Sequence, residues 1–158
     1  MSYAKKNLRE IEDQALKHGF SEHQAARFAR GDLSAADTGL AYVTIKPGHR
    51  EAFAHRHREA EEIAVVLSGS GQIKLDDDLV ELAPLDAVRV SPGVTRAFEA
   101  GDEGLEVVVF GPHVAGDAEM VQGFARRSAG SIARSRTHVA PATSASPGEM
   151  RYRNALEH

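Results

Sequence analysis

The sequence contains no cysteine. That excludes a disulfide framework, thiolate zinc sites and a cysteine nucleophile, and it leaves the redox compartment open. Long apolar runs are missing too: no window approaches the ~18 consecutive apolar residues that span a bilayer. The opening Met-Ser-Tyr-Ala-Lys-Lys-Asn-Leu-Arg-Glu lacks the apolar stretch of a signal peptide, so a cytoplasmic protein without membrane contact is expected. There is no overall excess of positive charge, since the net charge is −4 at pH 7. The balance is uneven along the chain. Residues 124–158 hold six Arg against Glu149 and Glu157, a balance of +4, which leaves −8 on residues 1–123. A body this acidic is a poor nucleic-acid binder, and no nucleic-acid partner is expected.

What remains is ordinary for a soluble domain: 158 residues, 42% hydrophobic and 27% charged, with a mean hydropathy of −0.35. That length suits one domain, or one domain with a tail, and can bury a core without metal or disulfide staples. Three zones are expected, with an N-terminal arm over 1–38, a β-rich core over 39–113 and an extension over 114–155. The final Leu156-Glu157-His158 reads as the start of a vector-derived tag and is set apart from function.

In the arm, Asn7 followed by Glu10 resembles a capping box, with Leu8, Ile11, Ala15 and Leu16 on one helical face ending near Gly19. Ser21-Glu-His-Gln resembles a second box, yet Ala26 and Phe28 also alternate as a strand would. From Leu40 to Phe110 the chain reads as seven short Val- and Ile-rich strands. Breaks are expected at Pro47-Gly48, Ser68–Gly71, Asp76–Asp78, Ala83-Pro84, Ser91–Gly93 and Gly101–Gly104. This pattern predicts an all-β sandwich or barrel.

The chemistry-bearing stretch runs from Gly48 to Gly69. His55 and His57, at i and i+2, project from the same face of an extended strand, and Glu62 opens the next β run where it can turn back toward them. Two neutral imidazoles and one carboxylate suit Fe(II), Mn(II), Zn(II) or Ni(II), with positions left open for water or substrate. A His-x-His pair by itself is equally compatible with a solvated strand end. Asp76–Asp78 lacks calcium-loop spacing and reads as a hairpin turn. Ser68–Gly71 lacks the Lys of a phosphate loop and also reads as a turn, while His49 and His113, beside Pro-containing turns, read as surface residues.

The whole pattern, Gly48-x6-His55-x-His57-x4-Glu62-x6-Gly69 followed by Pro92-Gly93-x-x-Arg96, resembles the two motifs of the cupin superfamily. It is most similar to its small single-domain members, the cupin 2 conserved barrels. The resemblance covers roughly residues 39–113. It implies a six- to eight-stranded antiparallel barrel, the jelly-roll or double-stranded β-helix, often homodimeric, with a metal inside on two His and a Glu from the first motif and a His from the second. Carried over, the ligands are His55, His57 and Glu62.

The fourth ligand is replaced. Arg96 stands where the second motif has His, and a guanidinium offers no lone pair to a metal. Three arrangements stay open. In one, Arg96 points inward beside Phe98 and pairs with Glu62 in a metal-free pocket. In another, three ligands hold a divalent metal while Arg96 and Phe98 bind an anionic ligand. In the third, Arg96 points outward on the surface. The function expected is binding of a small anionic molecule in the barrel interior. The alternatives are a metal-dependent isomerase or dioxygenase, and a non-catalytic dimeric module with a decayed site.

Overall fold

The computed structural model describes residues 3–124. The readings placed on the arginine-rich tail and on Leu156-Glu157-His158 fall outside them.

The fold is an all-β antiparallel sheet of eight strands, curled on itself. The strands are β1 (Gln24–Phe28), β2 (Thr38–Ile45), β3 (Ala54–His57), β4 (Glu62–Leu75), β5 (Asp78–Leu82), β6 (Ala87–Val90), β7 (Arg96–Pro112) and β8 (Ala118–Val121). β7 is the organising strand. It pairs with β2 along Leu105–Pro112, with β4 from Ile63 to Leu75, and with β3 at His55 and Arg96. Among the described residues no helix is long and apolar enough to cross a membrane.

The core follows from period-two alternation. Val43 and Ile45 of β2, Ala64 and Val66 of β4, and Leu105, Val107 and Val109 of β7 are all buried in one cluster with Ile73 and Phe98. Each large apolar side chain removed from water contributes roughly 1.5–3 kcal/mol. The same alternation carries Arg96 inward, because Phe98 and Ala100 share its face and all three are buried.

Two expected breaks are not breaks. β4 runs through Ser68–Gly71 and β7 through Gly101–Gly104, with register shifts at Val66/Ser68 and at Gly69/Gly71, where the pairing passes from Leu105 to Ala100 and residues 101–104 bulge out of the β4 ladder. The glycines serve close backbone approach rather than chain reversal. A Cβ on Gly71 would lie 2.1 Å from Glu99 O, and one on Gly69 would lie 2.1 Å from Gly104 O, where φ is +77° besides. The other four breaks are turns as expected, with Asp76–Asp77 closing the β4–β5 hairpin.

The arm also departs from its reading. Asn7 caps a single 3-10 turn (Leu8–Glu10), and the helix α1 (Gln14–His18) is capped by Asp13 and ends at Gly19 in the left-handed conformation. Ile11 and Ala15 are buried, but Leu16 is 67% exposed, so the single apolar face is interrupted. The Ser21 box starts no helix. Strand alternation prevails there, and β1 pairs along β2 from Gln24↔Ile45 to Phe28↔Ala41. A short helix α2 (Arg30–Leu33) then leads into β2.

The close β4–β7 approach yields a prediction. Gly71→Val should cost on the order of 3 kcal/mol or more in urea denaturation. Gly31→Ala, with nothing within 4 Å of the added Cβ, should stay within about 0.5 kcal/mol. Equal effects of the two substitutions would refute the packing account.

Candidate metal centre

β3 is four residues of extended chain, so His55 and His57 share its inner face while Arg56 points out and pairs with Glu119 of β8 at 2.9 Å. Glu62, the first residue of β4, meets them after a short connection. Ligand-type atoms of His55, His57 and Glu62 all lie within 4.8 Å of one another. Among the described residues this is the group able to hold a metal ion.

The connection between β3 and β4 is held by a residue far along the chain. Asp117 is 3% exposed, and its Oδ1 accepts from Arg58 N at 2.9 Å and Glu59 N at 2.8 Å. Its Oδ2 accepts from Ala60 N at 3.0 Å and lies 3.1 Å from His57 Nδ1. Burial alone would raise the Asp117 carboxyl, but the backbone N–H groups of Ala60 and Glu59 and the nearby His57 hold it below the usual range. An ionised carboxylate there requires His57 Nδ1 to donate. Nε2 then faces Glu62 Oε1 at 3.4 Å. Between that nitrogen and that oxygen belongs a positive species, a proton or a metal ion.

Arg96 lies on the other side of Glu62. It is 1% exposed, and its Nη2 donates to Glu62 Oε2. Burial would raise Glu62, yet the hydrogen bond from His57 and the charge of Arg96 bring it down to about 2. Burial, and then the Arg96 charge, bring His55 down to about 3. At neutral pH the set is therefore one carboxylate and one neutral His55 imidazole, with His57 oriented by Asp117. His55 Nδ1 is buried and has no hydrogen-bond partner among the described residues. An orphaned ring nitrogen and a His–Glu pair around one point fit a divalent ion, for which ligand distances are about 2.0–2.2 Å. When bound, such an ion supplies Lewis-acid polarisation of a ligand oxygen.

The three residues form part of the wall of a cavity of about 130 Å³. Phe28, Leu40, Phe53, Phe98 and Val109 give it an apolar lining, and Gln24, Arg30, Glu51, Glu61 and His113 add polar groups. Glu51 is clamped at both ends to Phe98. Its N–H donates to Phe98 O at 2.8 Å, and its Oε2 accepts from Phe98 N at 3.1 Å. Burial raises its carboxyl to about 7, a value suited to giving or taking a proton near neutrality.

The structure brings together the three residues read from the sequence as ligands. Phe98 lines the cavity. Arg96 does not, since it sits behind Glu62 and directs its charge to that carboxylate rather than to the open space. His113, read as a surface residue, lines the cavity. Asp117 and Glu51 were missed. Nothing near Asp117 in sequence marks it as a partner of His57, whereas Glu51 had a usable signal in its place between the first-motif glycine and the histidines.

Residues 41–111 match the family model Cupin_2, described as Cupin domain. This stretch is a cupin domain. Its fold is shared with a cupin protein from Bacteroides fragilis, at 18% identity and a TM-score of 0.58 over 85% of this chain and 99% of that one. It is also shared with the polyketide cyclase RemF from Streptomyces resistomycificus, at 20% identity and a TM-score of 0.58 over 68% and 78% of the two chains. Oxalate decarboxylase from Bacillus subtilis is similar at 19% identity and a TM-score of 0.55, over 63% of this chain and 28% of that one. No curated protein matches the chain.

Two predictions follow from the geometry. Asp117→Ala leaves three backbone donors unsatisfied and releases His57. Stability should fall by roughly 2–4 kcal/mol, and zinc affinity by about 10–100-fold. A titration showing unchanged zinc affinity at normal fold would remove Asp117 from the orienting role. The second prediction concerns Glu51, which in the folded cupin keeps its proton between about 4.5 and about 7 while the unfolded chain releases it. Its stabilising contribution is complete at the acid end and is lost as pH rises through that window. Glu51→Gln, which stays neutral, should therefore gain stability relative to wild type across the same window. Chemical denaturation at both ends of the window checks this, and a constant difference would refute it.

Proposed function

We propose that this cupin binds one divalent transition-metal ion on His55, His57 and Glu62 and takes a small molecule into the adjoining cavity. The observation that carries the reading is the convergence of the three donors within 4.8 Å, with His57 oriented from behind by Asp117. Two imidazoles and a carboxylate suit iron, manganese, zinc or nickel. A ligand oxygen reaching the ion would be polarised, and Glu51 stands on the same cavity wall as a carboxyl able to move a proton. The named activities of the fold neighbours, a polyketide cyclase and an oxalate decarboxylase, differ from each other, so the fold does not select a reaction.

A metal-free pocket is favoured by one observation, the ion pair between Arg96 and Glu62. It neutralises the carboxylate and occupies one of its oxygens. A dication beside a fixed guanidinium also meets Coulomb repulsion. The metal reading accommodates the pair, because Glu62 Oε1 stays turned toward His57.

Metal analysis of untagged protein purified without a nickel column tests the two readings. Near-stoichiometric iron, manganese, zinc or nickel is expected after reconstitution, and it should be lost in His55→Ala. A wild-type protein that takes up no ion would overturn the metal centre. Arg96→His removes the repelling charge and adds a lone pair, so zinc affinity should rise at least tenfold. Unchanged affinity would mean that residue 96 does not occupy the fourth ligand position.

A further inference from the structure

The N-terminal segment supplies one wall of the cavity. Gln24, Ala26, Phe28 and Arg30, every second residue, all line it. Gln24 is committed, its Oε1 accepting from Ala52 N at 2.8 Å. Arg30 is not. Its Nε is buried without a partner, and its one hydrogen bond among the described residues is a long contact from Nη2 to Ala36 O at 3.4 Å.

This is unusual within the chain. Arg9, Arg50, Arg56, Arg58, Arg89 and Arg96 each lie within 4.0 Å of a carboxylate. Among the described arginines only Arg27 and Arg30 do not; Nε of Arg27 is also buried without a partner, but Arg30 alone of the two lines the cavity. A guanidinium that lines an apolar cavity with a desolvated, unpaired N–H calls for an anion.

His113 lies at the same rim. Its backbone N–H donates to Asp37 O at 2.8 Å, one residue on from the carbonyl that holds Arg30, and the residue lines the cavity. Phe28, Leu40 and Phe53 line the same cavity as the His55–His57–Glu62 group and give it apolar surface.

We propose that Arg30, with His113 beside it, is a carboxylate-binding site, so that the cavity takes a small monocarboxylate with an apolar body, its acid group at the rim and its other end toward the His–Glu group. A planar carboxylate matches the guanidinium fork. A doubly charged phosphate fits less well, because Glu51, Glu61 and Glu62 line the same space. The proposal rests on the cavity reading above, but it replaces Arg96 by Arg30 as the anion's partner.

The test uses benzoate and its neutral isostere benzamide, titrated into the metal-free full-length protein by calorimetry so that coordination to an ion is not counted. Benzoate should bind saturably and at least tenfold more tightly than benzamide. Arg30→Gln should bring benzoate down to the benzamide level, and Arg30→Lys should keep part of the difference. Benzoate binding no tighter than benzamide overturns the proposal. So does unchanged benzoate affinity in Arg30→Gln, whose fold is checked by circular dichroism, while the benzoate–benzamide comparison in wild type needs no variant. A parallel zinc titration separates the two readings. Zinc binding with no preference for benzoate sinks the carboxylate site alone, whereas Arg30-dependent benzoate binding without zinc binding sinks the metal centre alone.

Discussion

A guanidinium almost wholly removed from water dictates much of this structure. Arg96 is carried inward by the alternation of β7, and a buried charge of that kind costs several kcal/mol unless it is paired. Glu62 is the partner, which fixes the first residue of β4 in rotamer and in charge. With one oxygen committed to Arg96, the other is aimed at His57, and His57 is in turn set by Asp117. The row Arg96–Glu62–His57–Asp117 alternates cation, anion, imidazole and anion across the end of the barrel, and each member's state follows from its neighbour's. Removing one would leave a buried charge or donor uncompensated, so the row behaves as a unit.

That unit also changes how the site resembles other members of its fold. A histidine at position 96 would be one more ligand competing for an ion. An arginine is a permanent charge that adds to the His57 hydrogen bond in lowering Glu62, adds to burial in lowering His55, and limits the carboxylate to one free oxygen. Arg96 thus helps to hold the His55–His57–Glu62 group in the charge state an ion would need, while offering no lone pair of its own. What Arg96 gives in readiness it subtracts in affinity, since its charge opposes the dication's.

The fold and the inner residues of the site were legible because they rest on short-range rules. The His55/His57 spacing, the shared face of Arg96 and Phe98 and the Val-rich strand pattern each need only a few neighbouring residues. What escaped depends on contacts between distant segments. Ser68–Gly71 and Gly101–Gly104 look like turns in sequence, and they are instead the places where two long strands press backbone to backbone. The Ser21–Gln24 stretch carries helix-start chemistry, but pairing with β2 decides for a strand. His113 looked like a surface residue, because the wall it completes exists only once the N-terminal segment has added itself to the sheet.

The clamp at Asp117 has a consequence for how the molecule comes into being. The contacts it makes to residues 57–60 span 57 to 60 positions of chain, and they are made after β7, the strand to which most of the sheet is paired. During synthesis His55, His57 and Glu62 emerge from the ribosome well before the residue that orients them. A chain arrested short of residue 117 has its histidines but no means of setting the ring of His57. Setting of the His57 ring by Asp117 is therefore a late event that reports completion of the sheet.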